Sequence, residues 1–194
     1  MLKSRSPRRR GIAVALLGPD GAGKSTLAAS LLGALPSEFP GRSLYAGPYP
    51  KTGHQRHLLP GGATATVVAR LTRTRAIAAW HRWAGRDVIF DRHPYDALLA
   101  PAGNSGRAAT RRAIIGRTGL TPDLIIVLDA PAEVLYQRKG EHNRQQLAEQ
   151  RQRYLTFAAA RPNAMVLDTT IGAAGVLHEA LVEIASVRAR RGTR

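Results

Sequence analysis

The chain alternates short, unbroken apolar runs with longer segments in which apolar residues recur at helical spacing. Ile12-Ala-Val-Ala-Leu-Leu17 is the first such run, and it ends in glycine. A continuous run of this length suits a strand covered on both faces of a parallel sheet, because a half-exposed strand alternates with polar residues. From Lys24 to Leu35 the pattern turns helical and stops at Pro36, which cannot continue a helix. Arg42 to Ala46 predicts a second strand, Asp87 to Phe90 a third, Asp123 to Leu128 a fourth and Ala164 to Leu167 a fifth. Thr64 to Ala84 predicts a long helix with Val67, Leu71 and Ala78 among its apolar positions and Arg70, Arg73 and Arg82 at helical spacings. Pro131 is placed to open the helix after the fourth strand. Strands separated by helices predict an α/β, three-layer fold, a five-stranded parallel sheet with helices on both faces.

Gly47 to Gly62 is punctuated by glycine and proline and carries Tyr49, Lys51, His54, Arg56 and His57. Ordered loops of this length are often functional, which makes it a candidate lip for a substrate. Met1 to Arg10 is basic, lacks an apolar period and is expected to be a flexible tail. The 194 residues otherwise fit one domain, expected over residues 11–190.

The first apolar run leads into Gly18-Pro-Asp-Gly-Ala-Gly-Lys-Ser25, which matches Gly-x4-Gly-Lys-Ser/Thr between a strand and a helix. This is the context that the phosphate-binding P-loop requires. Glycines let the backbone turn tightly and aim N–H groups at phosphate oxygens, and the following helix adds its positive dipole end. Gly18, Asp20, Gly21, Ala22, Gly23, Lys24, Ser25 and Thr26 are therefore candidate nucleotide-binding residues, with Lys24 on the β- and γ-phosphates and Ser25 on magnesium.

Asp91 follows the third apolar run, so its carboxylate should emerge at the carboxyl edge of the sheet, where open α/β sheets bind ligands. It is a second candidate magnesium ligand. Arg92 beside it has the planar fork that clamps a phosphate with two hydrogen bonds. A P-loop, an acid at a strand end and an adjacent Arg together predict ATP- and Mg2+-dependent phosphoryl transfer, hence a kinase.

Charge changes the picture only slightly. The formal net charge is +16, from 29 Lys plus Arg against 13 Asp plus Glu, and this favours anionic partners. All but four of the basic residues are Arg, a skew that base composition of a genome also produces. Aromatic residues are 5% and no nucleic-acid recognition motif is visible, so a specific nucleic-acid partner is not expected. Cysteine is absent, which excludes disulfides and thiolate metal sites and is compatible with a reducing cytoplasm, the expected location. No stretch suggests a membrane span of about 20 apolar residues. Trp80 and Trp83 read as packing residues, and Arg151, Arg153 and Tyr154 as a solvated helix face. The six histidines show no metal spacing, and only His93 lies beside a motif.

Gly-Pro-Asp-Gly-Ala-Gly-Lys-Ser-Thr-Leu at 18–27, Asp91-Arg92-His93, and the segment from Pro122 to Lys139 together resemble the thymidylate kinase family. The resemblance spans most of residues 11–185. It implies a P-loop nucleoside monophosphate kinase fold with a mobile lid at roughly residues 137–146. It also implies that Asp20 approaches the acceptor's sugar, that Arg92 holds the acceptor's phosphate and that Arg138, Lys139 and Arg144 are the lid cations near the transferred group. Tyr49, Arg70 and Arg73 complete the candidate acceptor residues. The turn Asp168 to Gly172 borders adenine by the same resemblance, or is a plain turn. The chain keeps Pro60-Gly-Gly62 but lacks the Arg-Glu pair that usually precedes it in thymidylate kinases, and the stretch after Asp91-Arg92 lacks their nucleobase motif. The acceptor thus stays open between a nucleoside monophosphate, another small phosphorylated molecule and a hydroxyl compound, the last needing Asp91 or Asp20 as base. A nucleotide-binding module with little transfer and a homodimer also stay open.

Overall fold

The computed structural model describes residues 10–47, 62–100, 106–139 and 143–192. The basic tail up to residue 9, the loop at 48–61 with Tyr49, and residues 140–142 of the expected lid lie outside them.

Five strands, β1 (Ala13–Leu17), β2 (Gly41–Leu44), β3 (Asp87–Asp91), β4 (Leu124–Asp129) and β5 (Ala164–Asp168), form one parallel sheet in the order β2-β3-β1-β4-β5. Every residue of β1 and β3 is buried, which is why both read as apolar runs with no alternation. The α/β expectation holds, and strand ends differ from it by one or two residues. β3 runs on to Asp91, and β2 stops at Leu44 rather than Ala46.

Helices α1 (Lys24–Ala34), α2 (Gly62–Trp83), α3 (Tyr95–Leu99), α4 (Gly106–Thr118), α5 (Ala132–Lys139), α6 (Arg144–Ala159) and α7 (Gly172–Gly192) cover the sheet. Alternate strand residues feed opposite faces. Val14, Leu16, Ile126 and Leu128 pack with Leu27 and Leu31 of α1 and with Ala180 and Ile184 of α7. Ala13, Ala15, Val88 and Phe90 pack on the other face with Val67, Leu71 and Ala78 of α2 and Ile115 of α4. Leu17, Ile125 and Val127 meet Leu99 of α3 and Tyr154 and Phe157 of α6.

Two expectations are overturned by this packing. Trp80 and Trp83 are 55% and 60% exposed, because the buried stripe of α2 passes through Leu71, Ala78 and His81 and leaves both indoles off its line. Tyr154 belongs to no solvated face: it is 4% exposed, since α6 turns Leu147, Tyr154 and Phe157 inward. By length and composition, Thr169–Arg191 does qualify as a candidate membrane span, with a mean hydropathy of 1.3 over its best window. Its Val176, Ala180, Ile184 and Val187 pack in the sheet core at amphipathic spacing, as in a core helix.

Candidate functional site

β1 lies between β3 and β4, the point at which strand order reverses, so a crevice opens at its carboxyl end. The loop 18–23 fills that position. Gly18 leaves β1 at φ +143°, and a Cβ there would sit 2.4 Å from the Leu128 carbonyl oxygen of the neighbouring strand. Gly23 takes a left-handed φ of +92° and starts α1. Only glycine meets the first requirement, and it meets the second at least cost.

Lys24 opens α1 yet is 6% exposed, and its Nζ donates to the carbonyls of Gly18 and Pro19, both at 2.7 Å. Burial lowers its pKa to about 8, against the pull of Asp96, Asp20 and Asp91. The ammonium is thus folded back on its own loop. Register places Asp91 opposite Leu16 of β1. Ser25 Oγ donates towards Asp91 at 3.1 Å to Oδ1 and 3.0 Å to Oδ2. The two candidate magnesium ligands thus meet, although they are 66 residues apart.

Asp20 and Arg92 form a 2.6 Å ion pair across the same crevice. Burial alone would raise the Asp20 carboxyl, but the charges of Arg92, Lys24 and Lys139 hold it below the usual carboxylate range. Arg92 has φ +77°, the one positive value for a non-glycine among the described residues. Such strain costs about 1–3 kcal/mol and is found where surroundings enforce it.

On the β2 side, Arg70 Nη2 donates to the Gly47 carbonyl at 2.7 Å, and its Nε is buried without a partner among the described residues. Arg73 is exposed on the same helix. Tyr45 stands near both arginines; burial raises its pKa while Arg92 and Arg70 oppose the rise.

On the β4 side a cavity of about 290 Å3 opens between Gly21, Gly23, Thr26, Arg138, Thr169 and Gly172. Arg138 reaches over to Thr169, donating to its hydroxyl at 2.8 Å and its carbonyl at 3.0 Å. The turn Thr169–Ile171 after β5 therefore borders the P-loop rather than standing apart. Lys139 ends α5, and its charge is felt at Asp20. Arg144 faces away from this group: it opens α6, is 64% exposed and pairs with Glu133 at 2.5 Å.

The comparisons with known proteins bear on this arrangement. Thymidylate kinase from Candida albicans matches with a TM-score of 0.62, over 92% of this chain and 94% of that one, at 18% identity. The chain has the thymidylate kinase fold. No family model and no curated protein matches its sequence.

Within the thymidylate kinase fold, four residues stand at or beside the crevice that no motif picks out. Tyr45 is one. Asp96 is 8% exposed and accepts from Tyr154 Oη at 2.8 Å and from the His93 amide at 3.2 Å. Burial pushes its carboxyl up, while Lys24, Tyr154, Arg92 and His93 oppose the rise. Arg151, expected on a solvated face, makes a bidentate pair with Asp129 at 2.7 and 2.8 Å. The spacing Leu147, Tyr154, Phe157 was the available signal for Tyr154, and a carboxylate four residues beyond Arg92 was that for Asp96.

Proposed function

We propose that the chain is an ATP- and Mg2+-dependent kinase that transfers the γ-phosphoryl group to a nucleoside monophosphate or a similar phosphorylated small molecule. The observation that carries this reading is the convergence of Lys24, the Ser25–Asp91 contact and the Asp20–Arg92 pair in one crevice. A hydroxyl and a carboxylate are the hard oxygen donors that suit magnesium, an ion that keeps several waters and takes few protein ligands. When bound, it neutralises charge that develops on the transferring group. Ser25 and Asp91 would hold it.

Lys24 would exchange the Gly18 and Pro19 carbonyls for β- and γ-phosphate oxygens. The cavity beside Arg138 and Thr169 is the place for the donor's base. Arg92, with Arg70 and Tyr45 nearby, would fix the acceptor's anionic group. A phosphate acceptor arrives ionised, so the work is positioning and charge neutralisation, without a strong general base. The lowered pKa of Asp20 makes it a poor proton acceptor, so a hydroxyl acceptor would have to rely on Asp91, the residue proposed for magnesium. Such chemistry belongs where ATP is plentiful, which fits a cytoplasmic enzyme.

Radiolabelled ATP tested against a panel of nucleoside monophosphates, sugar phosphates and alcohols measures the proposal directly. Transfer to a monophosphate is expected, reduced about 10^3-fold or more in Lys24→Ala and Arg92→Ala with folding intact. Near-normal turnover by either variant, or transfer to alcohols alone, overturns it.

A further inference from the structure

Asp96 belongs to no phosphate-binding motif, yet both of its oxygens are engaged, by Tyr154 Oη at 2.8 Å and by the His93 amide at 3.2 Å. That amide follows directly on Arg92 and its left-handed backbone. A strained residue persists only when its surroundings over-determine it. Here Asp20 takes the guanidinium on one side of the turn, at 2.6 Å, and Asp96 takes the next N–H on the other. The negative charge of Asp96 also acts on both Lys24 and Arg92.

Tyr154 stands 58 residues further on, on α6, the helix that leaves the Arg138–Arg144 segment. A phenol and a carboxylate sealed together are an inefficient source of stability, because desolvation offsets much of what the hydrogen bond contributes and apolar packing would serve as well. Their position suggests a different use. We propose that Asp96 and Tyr154 form a positioning pair that holds the Arg92 turn, so that the seating of α6 sets how tightly the crevice grips the acceptor's anionic group. The inference rests on the proposal that Arg92 grips that group. Neither member touches the transferred phosphoryl; both act through Arg92.

The probe is inorganic phosphate, titrated by NMR into protein whose donor site is saturated with Mg2+ and a non-hydrolysable ATP analogue. Tyr154→Phe and Asp96→Asn are each expected to weaken phosphate about tenfold, and the double variant by clearly less than the product of the two, since both disturb the Tyr154–Asp96 contact. Tyr154→Phe should hold the ATP analogue within about twofold of the wild type, a split that general loosening of the fold would not produce. Unchanged phosphate affinity in Tyr154→Phe, beside a loss in Arg92→Ala, overturns the pair. Equal weakening of both ligands overturns it as well. If Arg92→Ala binds phosphate normally, the assignment of Arg92 has failed instead. Hydrogen exchange at the His93 amide then judges the pair: it must quicken in Tyr154→Phe, and unchanged protection overturns the inference.

Discussion

The P-loop lysine shows how burial turns a common motif into a tunable group. Lys24 is 6% exposed, and desolvation lowers its pKa from 10.5 to about 8. Phosphate oxygens at Nζ would favour the charged form and raise that value again. Between about pH 8 and 9.5, then, nucleotide binding should take up a substantial fraction of a proton, and at pH 6.5 almost none. Calorimetry of ATP-analogue binding in buffers of different ionisation enthalpy reads that number; uptake equal at both pH values would show that Lys24 is already fully charged when free. The motif itself was legible, since its chemistry is local. The buried state of the ammonium was not: its carbonyl partners belong to its own loop, but its burial and the nearby Asp91 and Asp96 come from the rest of the fold.

Among elements, α6 has the clearest dependence on a single cap. Asn143 Oδ1 accepts from the Gln146 amide at 2.8 Å and Gln146 Oε1 accepts from the Asn143 amide at 3.3 Å, a reciprocal capping box. Asn143→Ala should cost about 1 kcal/mol in urea unfolding; a cost below about 0.3 kcal/mol would mean that packing alone sets the start of α6. Strands β1, β3 and β4 were legible because both-sided burial writes them as apolar runs, and α2 because its period extends over many turns, whereas β2 and β5 are only partly buried and carry a weaker pattern. Residue type misled where phase decided. Two tryptophans suggest core, yet their phase on α2 turns them outward; Arg-Gln-Arg-Tyr suggests solvent, yet Tyr154 keeps the inward phase of Leu147 and Phe157. The Tyr154–Asp96 contact was beyond reach for another reason: it joins polar residues on separate elements, and no local pattern encodes such a meeting.

For the whole molecule, acid tolerance follows from the same burial. His93 is 1% exposed; its Nε2 lies 2.9 Å from the Leu120 carbonyl and its Nδ1 accepts from the Tyr95 amide, so the neutral ring satisfies both neighbours. Burial depresses its pKa from 6.5 to about 4, despite that Leu120 contact. The unfolded chain therefore binds more protons between those values, and stability rises with pH across that window and levels above it. From pH 7 to pH 5 this one group should remove about 2 kcal/mol, read as the difference in pH dependence between the wild type and His93→Phe in urea melts. Parallel curves for the two proteins would assign the acid loss elsewhere. At the opposite edge of the sheet, Asp87 binds Arg188 and the Ile12 amide, while Asp123 binds Arg82 at 2.9 Å and Arg191 at 2.6 Å. These carboxylates anchor a strongly cationic chain around the strand beginnings. The strand order has a last consequence. With β1 central, the cavity proposed for the donor's base lies on the β4 side and Arg70, Tyr45 and Arg92, proposed for the acceptor, lie on the β3 and β2 side, while Asp91 and Tyr154 reach across the division. Such a division lets one half diverge under selection while the other is inherited intact, so a descendant can change its substrate without relearning how to use its fuel.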